Sequence, residues 1–261
     1  MATLSQTLAT LSFDNGTYRA SPGDDWRQGR TLYGGVQAAL AVAAAQHAYP
    51  DLPPLRSAQV AYVGPSTGDV EIRAAMLRAG KSSAFISASV AAEAGPAAQA
   101  LFCFGAARMS AHRHAALPMP RVAPPDACES FFHRPHAPTF SQQFDGRRAG
   151  GAKVGSGADR PELLLWLRHQ DAAAPDGAAS LLALGDAPPP AAMTMFGAPA
   201  PISTMTWSVD VLVDRFDGTG WYLMQVIGDT VADGYSSQSM TMWDAAGRPV
   251  MAARQTVAIY A

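Results

Sequence analysis

The residues best placed to do chemistry lie between Gly177 and Thr206. An apolar run, Ala178-Ala179-Ser180-Leu181-Leu182-Ala183-Leu184, has no charge on either face and leads into an acid, Asp186. A helix that is apolar all round is one wrapped by other structure. Prolines at 188–190 follow; proline lacks an N–H and restricts the residue before it, so the helix must end or kink near Asp186. Carrying a carboxylate into a buried break is costly unless partners hold it. The plainer alternative is that Asp186 caps a following turn at Pro188–Met195. A second locus is Gly34-Gly35, at the start of an alanine-rich helix over 36–47. A helix N-terminus offers free N–H groups to an anion or a polarised carbonyl; alternatively, the glycines only let the helix lie close against a sheet. His112, His114, His133, His136 and Cys128 crowd residues 109–139, but their spacing matches no metal-ligand pattern, and no metal is expected.

Composition narrows the function classes. Of 261 residues, 48% are apolar and 15% charged, enough for a large core. Net charge is −2 with only Lys81 and Lys153 as lysines, so the basic face of a nucleic-acid binder is missing. The N-terminal stretch has no basic region followed by an apolar core, and no apolar run reaches 18 residues. The reading is therefore no signal peptide and no membrane span. Cys103 and Cys128 form neither a CxxC pair nor a disulfide framework. A soluble, cytoplasmic protein is expected.

The elements that must position these residues occur twice. After strand-like pieces at 11–13 and 17–19, the helix over 36–47 precedes four strands, Leu55–Val63, Val70–Leu77, Ala84–Ala92 and Ala98–Ala106. Partial alternation with turns every dozen residues reads as an antiparallel meander. The second half repeats the order: strands at Phe140–Arg147 and Leu163–Arg168, the helix ending at Asp186, then Ile202–Val213, Trp221–Ile227, Ser236–Trp243 and Val250–Tyr260. Such a repeat is a statement about architecture. The expected division is 1–110, a His/Pro/Arg-rich linker over 111–139, and 140–261. A period of two puts Thr206, Ser208 and Asp210 on the face of Thr204, so Asp210 is expected in the same cleft.

A helix wrapped by a curled antiparallel sheet is the hotdog unit. The chain resembles the TesB-like (type II) acyl-CoA thioesterases, whose α+β fold is a double hotdog, two helix-wrapped antiparallel sheets in one chain. The resemblance rests on Gly34-Gly35 with its Ala/Gln-rich helix, Leu55-Arg56-Ser57 through Gly64-Pro65, Leu164–Arg168, Leu182–Asp186, Trp243–Arg248 and Ala253-Arg254-Gln255-Thr256. It implies hydrolysis of a fatty or related acyl-CoA in lipid metabolism, with no cofactor, and leaves a homo-oligomer open. It also implies a water activated by an Asp, a Thr or Ser, and a Gln, which here match Asp186, Thr204 (with Ser203 adjacent) and Gln255. In that scheme Gly34 and Gly35 are candidates to bind the substrate carbonyl. Asp210 and Asp229 stand as alternative acids. Arg56, Arg78, Arg215, Arg248 and Arg254 are candidates for the coenzyme A phosphates, and Met193, Met195, Met205, Met240 and Met242 for an acyl tunnel or core. The alternatives are a non-catalytic acyl-CoA-binding double hotdog and a hotdog enoyl-CoA hydratase or dehydratase. The latter needs a paired His and Asp, and only His47 and His169 fall on predicted elements.

Overall fold

The computed structural model describes residues 1–132 and 137–260. A short helix α1 (Leu4–Ala9) opens the chain, followed by β1 (Ser12–Asp14), β2 (Thr17–Ala20), and a two-stranded ribbon of β3 (Arg27–Gln28) and β4 (Thr31–Leu32). Helix α2 (Gly34–Ala48) leads into the first meander, β5 (Leu55–Tyr62), β6 (Val70–Ala79), β7 (Ser83–Ala92) and β8 (Gly95–Gly105). Past a long crossing come β9 (Glu129–Ser130), β10 (Phe144–Gly151), β11 (Glu162–His169) and helix α3 (Ala178–Gly185). The second meander is β12 (Ile202–Val211), β13 (Tyr222–Ala232), β14 (Tyr235–Asp244) and β15 (Pro249–Ile259).

Thirteen strands form one antiparallel sheet in the order β1-β2-β6-β7-β8-β5-β12-β15-β14-β13-β11-β10-β9. The two halves join edge to edge where β5 pairs with β12, Val60 opposite Trp207. The expected double hotdog is what is observed. Each half curls because one face is apolar: in β7, Ala84, Ile86, Ala88 and Val90 are buried in alternation. The sheets wrap α2 and α3, which also pack on each other. Their runs of alanine and leucine are buried nearly all round, as uniformly apolar helices must be.

Three local differences from the sequence reading have physical reasons. Leu4–Ala9 is helical because Thr3 and Gln6 form a capping box, a signal carried by side-chain type and not by periodicity. Phe140–Gln143 is a tight turn and not strand: Phe140 turns in to stack on Tyr33, ring centroids 4.1 Å apart, and β10 starts only at Phe144. The crossing before β9 is strapped to the outer face of the second sheet. The indoles of Trp243 and Trp166 donate to the carbonyls of Leu117 and Ala123, at 2.7 and 2.9 Å. Among the described residues no group of His, Cys, Asp and Glu could hold a metal; His133 and His136 lie outside them.

Candidate active site

Asp186 follows the last residue of α3, and the prolines behind it stop the helix, so its carboxylate leaves the helix end sideways. It does not cap the next turn, Ala191–Thr194, whose start takes no side-chain bond from Asp186. Instead the carboxylate meets two donors. Gln255 Nε2, on β15, donates to its Oδ1 at 2.5 Å, and the Gly35 N–H at the start of α2 also donates to it. Gly34 and Gly35 thus let a helix N-terminus abut an acid. A Cβ on Gly34 would lie 2.8 Å from Asp186 Oδ2 and 2.9 Å from Tyr62 Cζ, and one on Gly35 would collide with the Tyr33 ring. The glycines are needed for close approach. Gly34 lines the smaller cavity, and Gly35 stands beside it at the start of α2.

Asp186 is buried, and loss of hydration pushes its carboxyl up to about 7, against the pull of the Gln255 and Gly35 donors. Facing it are the phenols of Tyr33 and Tyr62, both held well above their ordinary value by burial and then by the Asp186 charge. Tyr33 donates to the Ala183 carbonyl at 2.7 Å, tying the entry of α2 to α3. The Tyr62 hydroxyl is buried without a partner among the described residues.

Thr204 reaches the same place through an irregularity. Met205 is a bulge in β12, so Thr204 pairs with Val257 while Thr206 pairs with Thr256. Residues opposite each other across a ladder share a face, and Val257 and Gln255 both point into the core. Thr204 therefore faces inward, and Thr206, Ser208 and Asp210 face outward. The expectation for Asp210 is corrected here. It pairs with the outward Ala252, is exposed, and is absent from the lining of either cavity at Asp186, because one extra residue reverses the period-two count. Asp229, the other alternative acid, is held by Arg254 at 2.8 Å on the outer face.

Two cavities meet at Asp186, Ser203 and Thr204. One of about 460 Å³ is lined by Gly34, Gln37, Tyr62 and Met205; the other, about 680 Å³, by Phe131, Phe132, Phe140, Pro188–Pro190 and Met193, with Gln255. Met240 and Met242 are core and Met195 is exposed. Among the candidate arginines, Arg56 pairs with Asp214 and Arg248 with Asp244, away from Asp186. Neither His47, bonded to Tyr18, nor buried His169, at the Ser180 carbonyl, lines these cavities.

The sequence itself matches two family models. Residues 22–105 match the family model of the acyl-CoA thioesterase N-terminal domain, and residues 120–259 that of the acyl-CoA thioesterase C-terminal domain. The chain belongs to the acyl-CoA thioesterase family. As an acyl-CoA thioesterase it is a thioester hydrolase. The fold is shared with a conserved hotdog protein of unknown function from Alicyclobacillus acidocaldarius (24% identity, TM-score 0.89, 99% of this chain and 98% of that one). It is also shared with a tesB protein of Mycobacterium avium subs paratuberculosis (16%, 0.80, 99% and 100%) and with acyl-CoA thioesterase II TesB2 of Mycobacterium marinum (15%, 0.77, 98% and 98%). No curated protein matches the chain. Among the described residues of this acyl-CoA thioesterase, no helix is long and apolar enough to cross a membrane.

Sequence reasoning missed Gln238 on β14. It lies directly across the ladder from Gln255, is fully buried, and donates to Gln255 Oε1 at 2.7 Å. A signal existed, since the period of two puts Gln238, with Ser236, on the strand face of Met240 and Met242.

Proposed function

We propose that the chain hydrolyses a fatty or related acyl-CoA by activating a water with Asp186, Thr204 and Gln255. The observation that carries this is a buried carboxylate, held by Gln255 and the α2 N-terminus, at the junction of two cavities that Thr204 also lines. A carboxyl that titrates near the working pH is well matched to a general base. Asp186 takes a proton from water as the water oxygen bonds to the thioester carbonyl carbon. The tetrahedral intermediate then collapses, the C–S bond breaks, and the leaving sulfur recovers the proton from Asp186. The Thr204 hydroxyl can both accept from and donate to that water. Gln255 keeps the carboxylate aimed. The larger cavity, rich in phenylalanine and proline, suits the acyl chain, and the smaller suits the arm bearing the sulfur.

The test is thiol release over a panel of acyl-CoAs. Wild type should turn over at least one chain length, and Asp186→Asn should lose about 10² or more in kcat while remaining folded. Equal turnover in the two proteins would remove Asp186 from the role of base.

A further inference from the structure

We propose that Gln238 is a positioning residue of this site: it fixes the amide of Gln255 so that the NH2 end, not the carbonyl end, meets Asp186. The inference rests on Asp186 being the base. An amide's oxygen and nitrogen are told apart by their partners, and here the assignment starts from a group with no ambiguity. Pro188–Pro190 have no N–H, and Ala191 carries the first backbone donor after them. It begins a short helical turn, where such donors lack partners within the turn.

Ala191 N–H donates to Gln238 Oε1 at 2.9 Å. The other end of Gln238 must then be its NH2, which donates to Gln255 Oε1 at 2.7 Å. Gln255 is left with its own NH2 turned to Asp186 Oδ1. Gln238 is fully buried and lines neither cavity, so bulk water offers it no substitute partner. The direction of donation therefore runs from a backbone N–H to a carboxylate. It also gives the proline run a use, since the run delivers Ala191 to Gln238 at the end of the relay.

The consequence is selective for one protonation state. A donor aimed at Asp186 favours the carboxylate. An amide locked in that sense cannot rotate to accept a proton from the neutral acid; a free one can. The titratable groups facing Asp186 are the phenols of Tyr33 and Tyr62, with Arg30 exposed at the lining of the larger cavity.

Gln238→Met keeps the length but can neither accept from Ala191 nor donate to Gln255. In the full chain, kcat should fall about tenfold with KM little changed, and the acid limb of the kcat–pH profile should move up by about one unit. Placed on Gln255→Met, the same change should leave the limb unmoved, because Gln238 acts through Gln255. Gln238→Asn, one methylene too short to span both partners, should show the same upward move and serves if the first variant does not fold. If Gln238 merely satisfies Ala191, thermal stability falls while the limb stays at its wild-type position, and the proposal is overturned. Wild-type turnover in Asp186→Asn would instead overturn the base assignment beneath it.

Discussion

Asp186 is asked to be both buried and ionised. Because its carboxyl titrates near 7 in the fold and near 3.8 in an open chain, the native state binds the extra proton between those values. Folding stability is then fully present below about pH 4 and falls as pH rises through about 7. Asp186→Asn removes that dependence. The stability difference, variant minus wild type, should grow by about 4 kcal/mol between pH 4 and pH 8, as measured by denaturant unfolding across pH. A flat difference would mean that Asp186 titrates normally. By the same titration, wild-type kcat/KM should rise with pH through about 7 and level off. Thr204→Ala removes a hydroxyl and leaves the carboxylate, so its loss should be smaller, about tenfold in kcat. Combined with Gln255→Ala it should cost less than the product of the single losses, because groups that act as a unit are not additive.

At the level of elements, the bulge in β12 decides which side chains see the site. Deleting Met205 would leave Thr204 opposite Val257 in a regular ladder, so turnover should stay within about tenfold of wild type, whereas deleting Thr204 puts Met205 in its place and should abolish most of it. Steady-state kinetics on the two deletions decide this. The cavity beyond α3 can be shortened as well: Met193→Trp should lower kcat/KM for long acyl chains by about tenfold or more relative to short ones, and an unchanged chain-length profile would move the acyl group elsewhere. The elements themselves were legible in the sequence. Alternation in strands such as Ala84–Ala92 and the uncharged run before Asp186 are patterns that burial imposes directly. Facing within β12 was not, since a single inserted residue leaves no mark in composition yet reverses the outward count for Asp210. Nor was the Gln238 relay, because a pairing between β14 and β15 depends on register and not on spacing along the chain.

Across the whole molecule, the two halves share a shape but not a site. Val60 pairs with Trp207 across the seam, and on the second side Trp207 leads to Gln255 and then Gln238. On the first side the corresponding path runs from Ala58 to Phe102 and Ile86, both buried and apolar. Nothing along it could hold a carboxylate or a water. A non-hydrolysable acyl-CoA analogue should accordingly bind with a stoichiometry of one per chain in calorimetry; two equal sites would contradict this asymmetry.

The contacts that build the site also span long stretches of chain. Tyr33 reaches Ala183 across 150 residues, and Gln255 reaches Asp186 across 69. Each meander can pair from neighbours in sequence, but the Tyr33–Ala183 contact needs both halves in place and the Gln255–Asp186 contact needs the last strand seated against the end of α3, and closing long loops is what slows folding. On dilution from denaturant, the far-ultraviolet signal of the sheets should therefore recover before catalytic turnover does. A protease acting during that lag would cut chains that already carry most of their strands but have never hydrolysed a thioester.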